Sequence, residues 1–312
     1  EGGAAMNMLS IGTVLGTTLR TATPVILASL GGLVSLHAGI INVAMEGFML
    51  IASFTAVLFS YYVGAGMGVV AAVVACVLFS LLYALFVVDL KIDGFAIGFA
   101  LNILASALTL YLVRAIGADI FNSPELKSLP RLQSGLLANV PFLDAAFNGH
   151  SILVYAAPVL VLLMWWILYR TPFGLRLRAA GEAPRALESA GVSSRKAKYL
   201  ASIICGIFCG LAGAHLSIGY MSQFIRDMTA GRGFMALAAI LVGRGYPLYT
   251  ALVALLFALA EALAIKLQAL EVAPQFALML PYLVTILTVV LSTSDSRSRR
   301  RKRVAADKGA NT

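Results

Sequence analysis

Charge is scarce in this sequence. Only 12% of its 312 residues are Asp, Glu, Lys or Arg, about half the share found in soluble domains. So few charges cannot cover a surface that faces water, and the mean hydropathy of +0.92 places the chain in lipid. Backbone groups in lipid need internal partners, so the spans must be helices or closed barrels. The continuous apolar runs at 69–88, 151–168 and 251–270 favour helices over the alternating strands of a barrel.

Motifs for covalent or metal chemistry are missing as well. The three cysteines, Cys76, Cys205 and Cys209, all lie inside apolar runs, which indicates packing rather than a metal site or a disulfide framework. The sequence has no Gly-x-x-x-x-Gly-Lys-Ser/Thr phosphate loop and no Ser/His/Asp set. We therefore expect no catalytic residues, no metal and no cofactor in this chain. If such a chain moves a solute actively, the energy must come from an ion gradient or another subunit.

The basic residues fall into two blocks. Residues 170–198 and 297–308 together hold 14 of the 23 Lys and Arg. Basic residues beside transmembrane ends mark the cytoplasmic side, so both blocks are predicted to lie inside, with the tail against anionic lipid headgroups. The net charge of +9 therefore indicates membrane topology rather than binding to nucleic acid. The polar loop 117–150 lacks this basic signature and is predicted to lie outside.

These features predict an all-α membrane protein, a polytopic bundle of about eight to ten spans. It reads as one transmembrane domain over 1–312, with a first half at 6–170, a cytoplasmic loop at 171–198, a second half at 199–294 and a basic cytoplasmic tail at 295–312. The first apolar stretch contains Pro24 and is either one kinked helix or a helix followed by a broken piece. The segment 234–242 is only half a span, and since both basic blocks lie inside, it must complete a crossing with non-helical backbone.

Two short segments repeat each other. Glu46-Gly47-Phe48-Met49 recurs 186 residues later as Arg232-Gly233-Phe234-Met235. Each is followed by a glycine-containing turn and a long apolar run, and the predicted topology sends the two copies in opposite directions. Inverted repeats with paired, glycine-interrupted segments point to the translocation site of a transporter. The alternative is a chance match among residues that are common in spans.

Polar groups inside spans are costly and are candidates for function. Glu46 and Arg232 occupy equivalent positions of the two repeated segments. They either pair across a central cavity, form a structural pair, or reach the two membrane interfaces separately. Asn42 and Asn102 either bind a polar solute or join helices. Glu261 contacts either a neighbouring chain or the solute. The predicted substrate pathway consists of Asn42, Glu46, Phe48, Asn102, Arg232 and Phe234.

The basic loop contains a predicted short helix. Pro184 suits a first helical turn, and Gly191 suits the position just past the end. Good helix formers, Arg185-Ala186-Leu187-Glu188, lie between them. A helix of about eight residues, roughly 12 Å long, is too short to be stable alone. We expect it to dock in a partner's groove, the alternative being a helix that lies on the membrane surface.

The same loop carries a family resemblance. Its segment 178–191, RAAGEAPRALESAG, resembles the cytoplasmic coupling loop of ABC-importer permeases of the branched-chain amino acid and simple-sugar superfamily. The segments 39–47, 229–239 and 243–248 are similar to those of the nucleoside-importer permeases that work with basic-membrane-protein-type lipoproteins. Ala44 departs from the glycine usual in that family. The coupling residues that the resemblance implies are Arg178, Gly181, Glu182, Pro184, Arg185, Ala186, Glu188 and Gly191.

The resemblance implies a permease subunit of an ATP-driven importer in a bacterial plasma membrane, with its C-terminus in the cytoplasm. It also implies a paralogous second permease, an ABC ATPase that binds ATP and Mg²⁺, and an external lipoprotein that selects the solute. Purine nucleosides or related solutes are the expected cargo, with simple sugars as the alternative. An ion-coupled secondary transporter and a non-transporting scaffold are the alternatives from other classes.

Overall fold

The computed structural model describes residues 2–117, 120–121, 123, 126–133 and 141–268, together with 279, 283–284, 286–288 and 290. Within these residues the helices are α1 Gly2–His37, α2 Met45–Tyr62, α3 Ala65–Ala84, α4 Gly94–Ile116, α5 Pro141–Phe147, α6 Ile152–Arg170, α7 Pro172–Glu182, α8 Pro184–Ser189, α9 Ser194–Ala214, α10 Arg232–Val242 and α11 Pro247–Gln268. Single π-helical segments extend α3 through Leu85–Asp89 and α9 through His215–Met221. A two-residue strand, β1 Arg131–Leu132, pairs antiparallel with β2 His150–Ser151.

Seven helices in the described part of the chain are long and apolar enough to cross a membrane, and the shorter α10 is also apolar. They confirm the predicted all-α polytopic fold. The predicted last span at 275–291 and the tail at 295–312 lie outside the described residues, apart from a few positions of the span. The stretch around Pro24 forms one continuous helix, α1.

The bundle has two ends. At one, here called the basic end, α7 and α8 join the end of α6 to the start of α9. The other, the distal end, carries α5 and the β1–β2 pair. Helix α1 runs between them, because Gly12 packs against Phe142 of α5 while Gly39, just past its last turn, packs against Gly181 of α7.

Helices α1 and α9 pack against each other at the centre of the bundle. Helix α1 also packs on α10 and α11, and α9 packs on α2 and α3. Exchanging α1 with α9, α2 with α10 and α3 with α11 therefore reproduces the same set of contacts. This is the packing that an inverted repeat predicts. Small residues permit the central contact, since Gly31 of α1 lies against Cys205 and Phe208 of α9.

Residues 222–242 complete a crossing, and its first part, 222–231, has no regular helix. This irregular part leaves the distal end of α9 and leads into α10, whose far end reaches the basic end, where the carbonyl of Gly245 accepts a 2.9 Å hydrogen bond from His37 Nε2. Phe224, Met228 and Thr229 of this segment are buried. Ile225, Arg226, Asp227 and Ala230 are exposed, so one side of the irregular segment packs on protein and the other side is open. Non-helical backbone at membrane depth is tolerated where it is buried in protein or lines a wet cavity.

The outer helices present large apolar side chains to their surroundings. Ile103 and Tyr111 of α4 and Val159 of α6 are each more than 60% exposed. An exposed apolar belt of this kind would be an aggregation hazard in water but is the expected surface in lipid. The structure therefore agrees with the composition in assigning lipid as the solvent.

Candidate translocation site and coupling segment

The first break in the repeat lies at residues 38–44, between α1 and α2. Asn42 supports it from within, because its Oδ1 accepts a 2.9 Å hydrogen bond from the backbone N–H of Ala44. Asn42 Nδ2 lies 3.3 Å from Cys205 Sγ, which joins the break to α9. Ala44 has φ −74°, an ordinary value for an L residue, so alanine fits where glycine is usual in the family it resembles.

Asn102 supports the same break from α4. Its Oδ1 accepts a 2.8 Å hydrogen bond from Gly47 N–H, and its Nδ2 donates a 3.0 Å bond to the carbonyl of Val43. Tyr83 of α3 adds a 3.0 Å bond from its hydroxyl to the carbonyl of Ile41. Side chains thus take over the backbone groups that the missing helical turn leaves unpaired. Both predicted asparagines lie at the break, where their observed role is to hold its backbone.

Glu46 lies where the two broken helices meet. Its carboxylate accepts hydrogen bonds from the backbone N–H of Gly231 at 2.8 Å and of Gly233 at 2.7 Å. Helices α2 and α10 both begin here, so the partial positive charges of two helix N-termini converge on one carboxylate. The backbones also touch, because a Cβ on Gly233 would lie 2.5 Å from Glu46 N.

Arg232 turns away from Glu46. Its guanidinium forms an ion pair with Glu261 of α11 and donates to the carbonyls of Met228 and Thr229 at 3.1 and 3.3 Å. The two charged side chains are only 8% and 17% exposed. A direct Glu46–Arg232 pair is therefore wrong for this conformation. The Glu46 carboxylate already accepts hydrogen bonds from the backbone N–H groups of Gly231 and Gly233. The Arg232 side chain lies on the face of α10 that packs against α11.

The buried ion pair is incompletely satisfied. Among the described residues, Arg232 Nε and Glu261 Oε2 have no hydrogen-bond partner. A buried charged atom without a partner costs free energy, and such groups in a membrane interior mark functional candidates. For Glu261, the sequence analysis left two alternatives, contact with a neighbouring chain or with the solute. In the structure Glu261 is the partner of Arg232.

Phe48 and Phe234, the equivalent phenylalanines of the two repeated segments, have different surroundings. Phe234 is 39% exposed and stacks on Phe99 of α4, with ring centroids 6.1 Å apart. Phe48 is fully buried and packs edge-to-face on Tyr83. In this conformation Phe48 is thus a core residue, whereas Phe99 and Phe234 form an exposed aromatic pair. Phe99 lies one helical turn before Asn102, and sequence analysis had no polar or repeat signal with which to find it.

The predicted coupling helix is present as α8, with six residues rather than about eight. Pro184 is its first residue, and Gly191 has φ +79°, a left-handed conformation that favours glycine. The backbone N–H of Val192 closes the end by donating to the carbonyl of Leu187 at 3.1 Å. Only Leu187 of α8 is buried. Of the predicted coupling residues, Arg185, Ala186 and Glu188 of α8 are exposed, as are Glu182 and Gly191 on either side of the helix.

A second helix in this loop, α7, was missed by the sequence analysis. It begins with Pro172 after Thr171, whose Oγ1 accepts a 3.3 Å hydrogen bond from Gly174 N–H. This Thr-Pro pair is an N-terminal signal that could have revealed it. Arg178 and Gly181 therefore belong to α7 and do not lie on the short helix itself. The Arg178 guanidinium lies over the Tyr169 ring, 5.1 Å from its centroid.

Helix α7 contacts the first break directly. A Cβ on Gly181 would lie 2.4 Å from the carbonyl oxygen of His37 and 2.8 Å from Gly39 N. The ring of Tyr169 lies against the Arg178 guanidinium. Tyr169 also contacts the turn after α10, because its hydroxyl donates a hydrogen bond to the carbonyl of Gly245 at 3.4 Å. Helix α7 therefore contacts the first break directly and the turn after α10 through Tyr169.

The fold is a multi-pass bundle with an exposed helix on its basic end. Inside it, two broken helices begin at one shared carboxylate. Together these features define a membrane transport permease. The chain belongs to the family described as branched-chain amino acid transport system / permease component, which matches residues 14–289.

Three curated relatives are similar over most of the chain. The guanosine ABC transporter permease protein NupQ of Bacillus subtilis is 35% identical over 91% of this chain and 92% of the relative. The putative glucose ABC transporter permease protein TsgC13 of Haloferax volcanii is 31% identical over 83% and 79%. A second guanosine ABC transporter permease protein of Bacillus subtilis, NupP, is 24% identical over 73% and 67%. No solved structure matches the chain.

Proposed function

We propose that this chain is the transmembrane permease subunit of an ABC importer that carries purine nucleosides. Two of the relatives above are named as guanosine permeases. The observation that carries the transport mechanism is the backbone contact of α7 with the first break, because it connects an exposed docking helix to the carboxylate that holds α2 and α10 together.

The substrate pathway runs beside the exposed Phe99–Phe234 pair. A planar purine can stack on these rings, and the neighbouring polar groups suit a neutral, hydrogen-bonding solute. In this proposal Glu46 holds the two broken helices together, Asn42 and Asn102 fix the first break, and Arg232 fixes α10 to α11. Phe48 supports the pathway from the core without lining it.

The ATPase receives α8 in its groove. Pro184, Arg185, Ala186, Glu188 and Gly191 form or shape the docking helix, and Glu182 lies exposed at its junction with α7. Gly181 passes the movement to the first break, and Arg178 passes it through Tyr169 to the turn after α10. Closure of the ATPase then shifts the two breaks against each other at Glu46 and opens the pathway to the other side.

The proposal includes three further subunits. A paralogous second permease covers the exposed aromatic face and completes the pathway. An ABC ATPase supplies ATP and Mg²⁺ chemistry at the basic end, and an external lipoprotein delivers the solute at the distal end. The basic end faces the cytoplasm of a bacterial plasma membrane, because residues 170–198 concentrate seven Lys and Arg there. The chain is one permease domain with 171–198 as its coupling loop and 295–312 as a cytoplasmic tail.

A sugar permease is the second candidate, because TsgC13 is named as a putative glucose permease. Uptake of radiolabelled guanosine separates the two. The chain is expressed with its second permease, ATPase and lipoprotein in a host that lacks its own nucleoside importers. We expect guanosine uptake that unlabelled purine nucleosides compete away and that excess glucose leaves unchanged. Glucose uptake without guanosine uptake would overturn the nucleoside assignment while leaving the permease role intact.

A further inference from the structure

An apolar groove runs along the outside of the bundle between α1, α6 and α11. Its volume is about 660 Å³, within the size range of small-molecule sites. It extends from His150 at the distal end toward Leu248 at the start of α11, and its walls are almost entirely apolar, including Ile26, Val161 and Leu162. A long apolar channel of this shape suits an extended hydrocarbon chain.

The distal end of the groove adjoins a narrow cationic cleft of about 10 Å³, which has room for about one water molecule. His150 and Val154 line both spaces, and the cleft is also lined by Arg20, Arg131 and Tyr220. Arg20 Nε donates a 2.8 Å hydrogen bond to His150 Nδ1, which leaves its two terminal NH₂ groups for another acceptor.

Within the part of the chain that the structure describes, the arginines of this cleft have no acidic partner. Ion pairs among the described residues join Arg195 to Asp89, Arg226 to Asp227 and Arg232 to Glu261. Neither Arg20 nor Arg131 takes part in one. Two neighbouring guanidinium groups without a carboxylate attract an anion, and guanidinium binds phosphate in a bidentate manner.

The described part of the chain beyond α11 leaves the groove open. Met279, Leu283, Ile286 and Leu287 are each more than half exposed, and none of them lines it. We propose that the groove and the mouth of the cleft form one binding site for an anionic phospholipid of the distal leaflet. Its acyl chain lies in the groove, and its phosphate lies outside the narrow cleft against the exposed Arg131 and the half-buried Arg20. The cationic cleft favours a lipid over an apolar helix as the occupant. An apolar helix face has no group that could accept hydrogen bonds from the two guanidinium groups.

Native mass spectrometry of the purified complex tests the site with defined lipids. We expect phosphatidylglycerol to bind more tightly than phosphatidylcholine of the same chain length. Arg131→Gln should lower phosphatidylglycerol affinity about fivefold, the scale expected for one basic residue near an anionic surface, and adding Arg20→Gln should lower it further. Arg226→Gln, at an exposed arginine outside the cleft, is the matched control and should change nothing.

The groove is tested with two adjacent leucines of α6. Leu162 lines the groove and Leu163 does not, although both are exposed. Leu162→Trp should weaken binding of both lipids, and Leu163→Trp should leave it unchanged. Equal binding of the two lipids, equal effects of the two tryptophans, or equal competition by inorganic phosphate would overturn the proposal. So would crosslinking of Leu162→Cys to the second permease, because that partner would then fill the groove.

Discussion

The Glu46 carboxylate binds the backbone N–H of Gly233 at 2.7 Å, at the point where the two halves of the repeat begin their broken helices. The same carboxylate binds Gly231 N–H, so it caps α10 while belonging to the first turn of α2. One side chain thereby fixes the starts of both helices, and removing it should loosen α2 and α10 together.

Removing this carboxylate should impair transport. Each hydrogen bond to a charged group contributes about 1.5–3 kcal/mol, and Glu46→Ala removes two of them. We expect guanosine uptake to fall at least about tenfold, with Glu46→Gln intermediate because its amide keeps one acceptor oxygen. Uptake is measured per amount of membrane-inserted protein. Uptake by Glu46→Ala at the wild-type rate would contradict a role for this contact.

Charge exchange distinguishes the observed ion pair from the one that the repeat suggested. Breaking a buried pair by removing one partner costs about 3–5 kcal/mol, so Arg232→Glu and Glu261→Arg should each lower the unfolding temperature of the purified protein. Combining them restores opposite charges and should recover part of the loss. The matched exchange of Glu46 and Arg232 should recover nothing, and recovery in that variant alone would show that those two residues pair.

Coupling should depend on the contact between Gly181 and Gly39. A methyl group at Gly181 would lie 2.4 Å from the carbonyl oxygen of His37, so Gly181→Ala must push α7 away from the first break. We expect fewer guanosine molecules transported per ATP hydrolysed, with the complex still assembled. Gly66→Ala is the control, because that position has no atom within 4 Å of the added methyl group. An unchanged ratio in Gly181→Ala would exclude this route of transmission.

Acid should weaken the distal end through His150. Burial lowers the pKa of this imidazole below its ordinary 6.5, and the positive charges of Arg20 and Arg131 act in the same direction. The folded state therefore favours the neutral ring, so stability is present above pH 6.5 and is lost as the pH falls below it and the unfolded chain takes up a proton first. Thermal unfolding between pH 8 and pH 5 should show this loss, and His150→Gln should reduce it. An equal loss in both proteins would assign the acid sensitivity to other groups.

The sequence predicted the elements that depend on local pattern. Apolar runs revealed the spans, and Pro184 and Gly191 revealed the ends of α8. The assumption that both basic blocks lie on one side predicted that the second half-span completes a crossing, and residues 222–242 run from the distal to the basic end. The position of the second block, 297–308, stays a prediction. The spans, the helix ends and the crossing were predictable because each rests on neighbouring residues or on a count of crossings.

Partners across the bundle could not be predicted in the same way. The repeat aligned Glu46 with Arg232, but alignment does not say which way a side chain leaves its helix, and Arg232 faces Glu261. Phe99 joins the exposed aromatic face only because its ring meets that of Phe234 of α10 in space. Asn102 was correctly singled out as polar, yet its observed hydrogen bonds to Gly47 and Val43 follow from tertiary packing alone.

Energy coupling is the most direct test of the account. The chain, its second permease, its ATPase and its lipoprotein are reconstituted in proteoliposomes, and radiolabelled guanosine uptake is measured with ATP, with a non-hydrolysable analogue and with a protonophore. An ABC permease should accumulate guanosine only when ATP is hydrolysed, whether or not the protonophore is present. Uptake that proceeds without ATP and is abolished by the protonophore would contradict the account and identify an ion-coupled transporter instead.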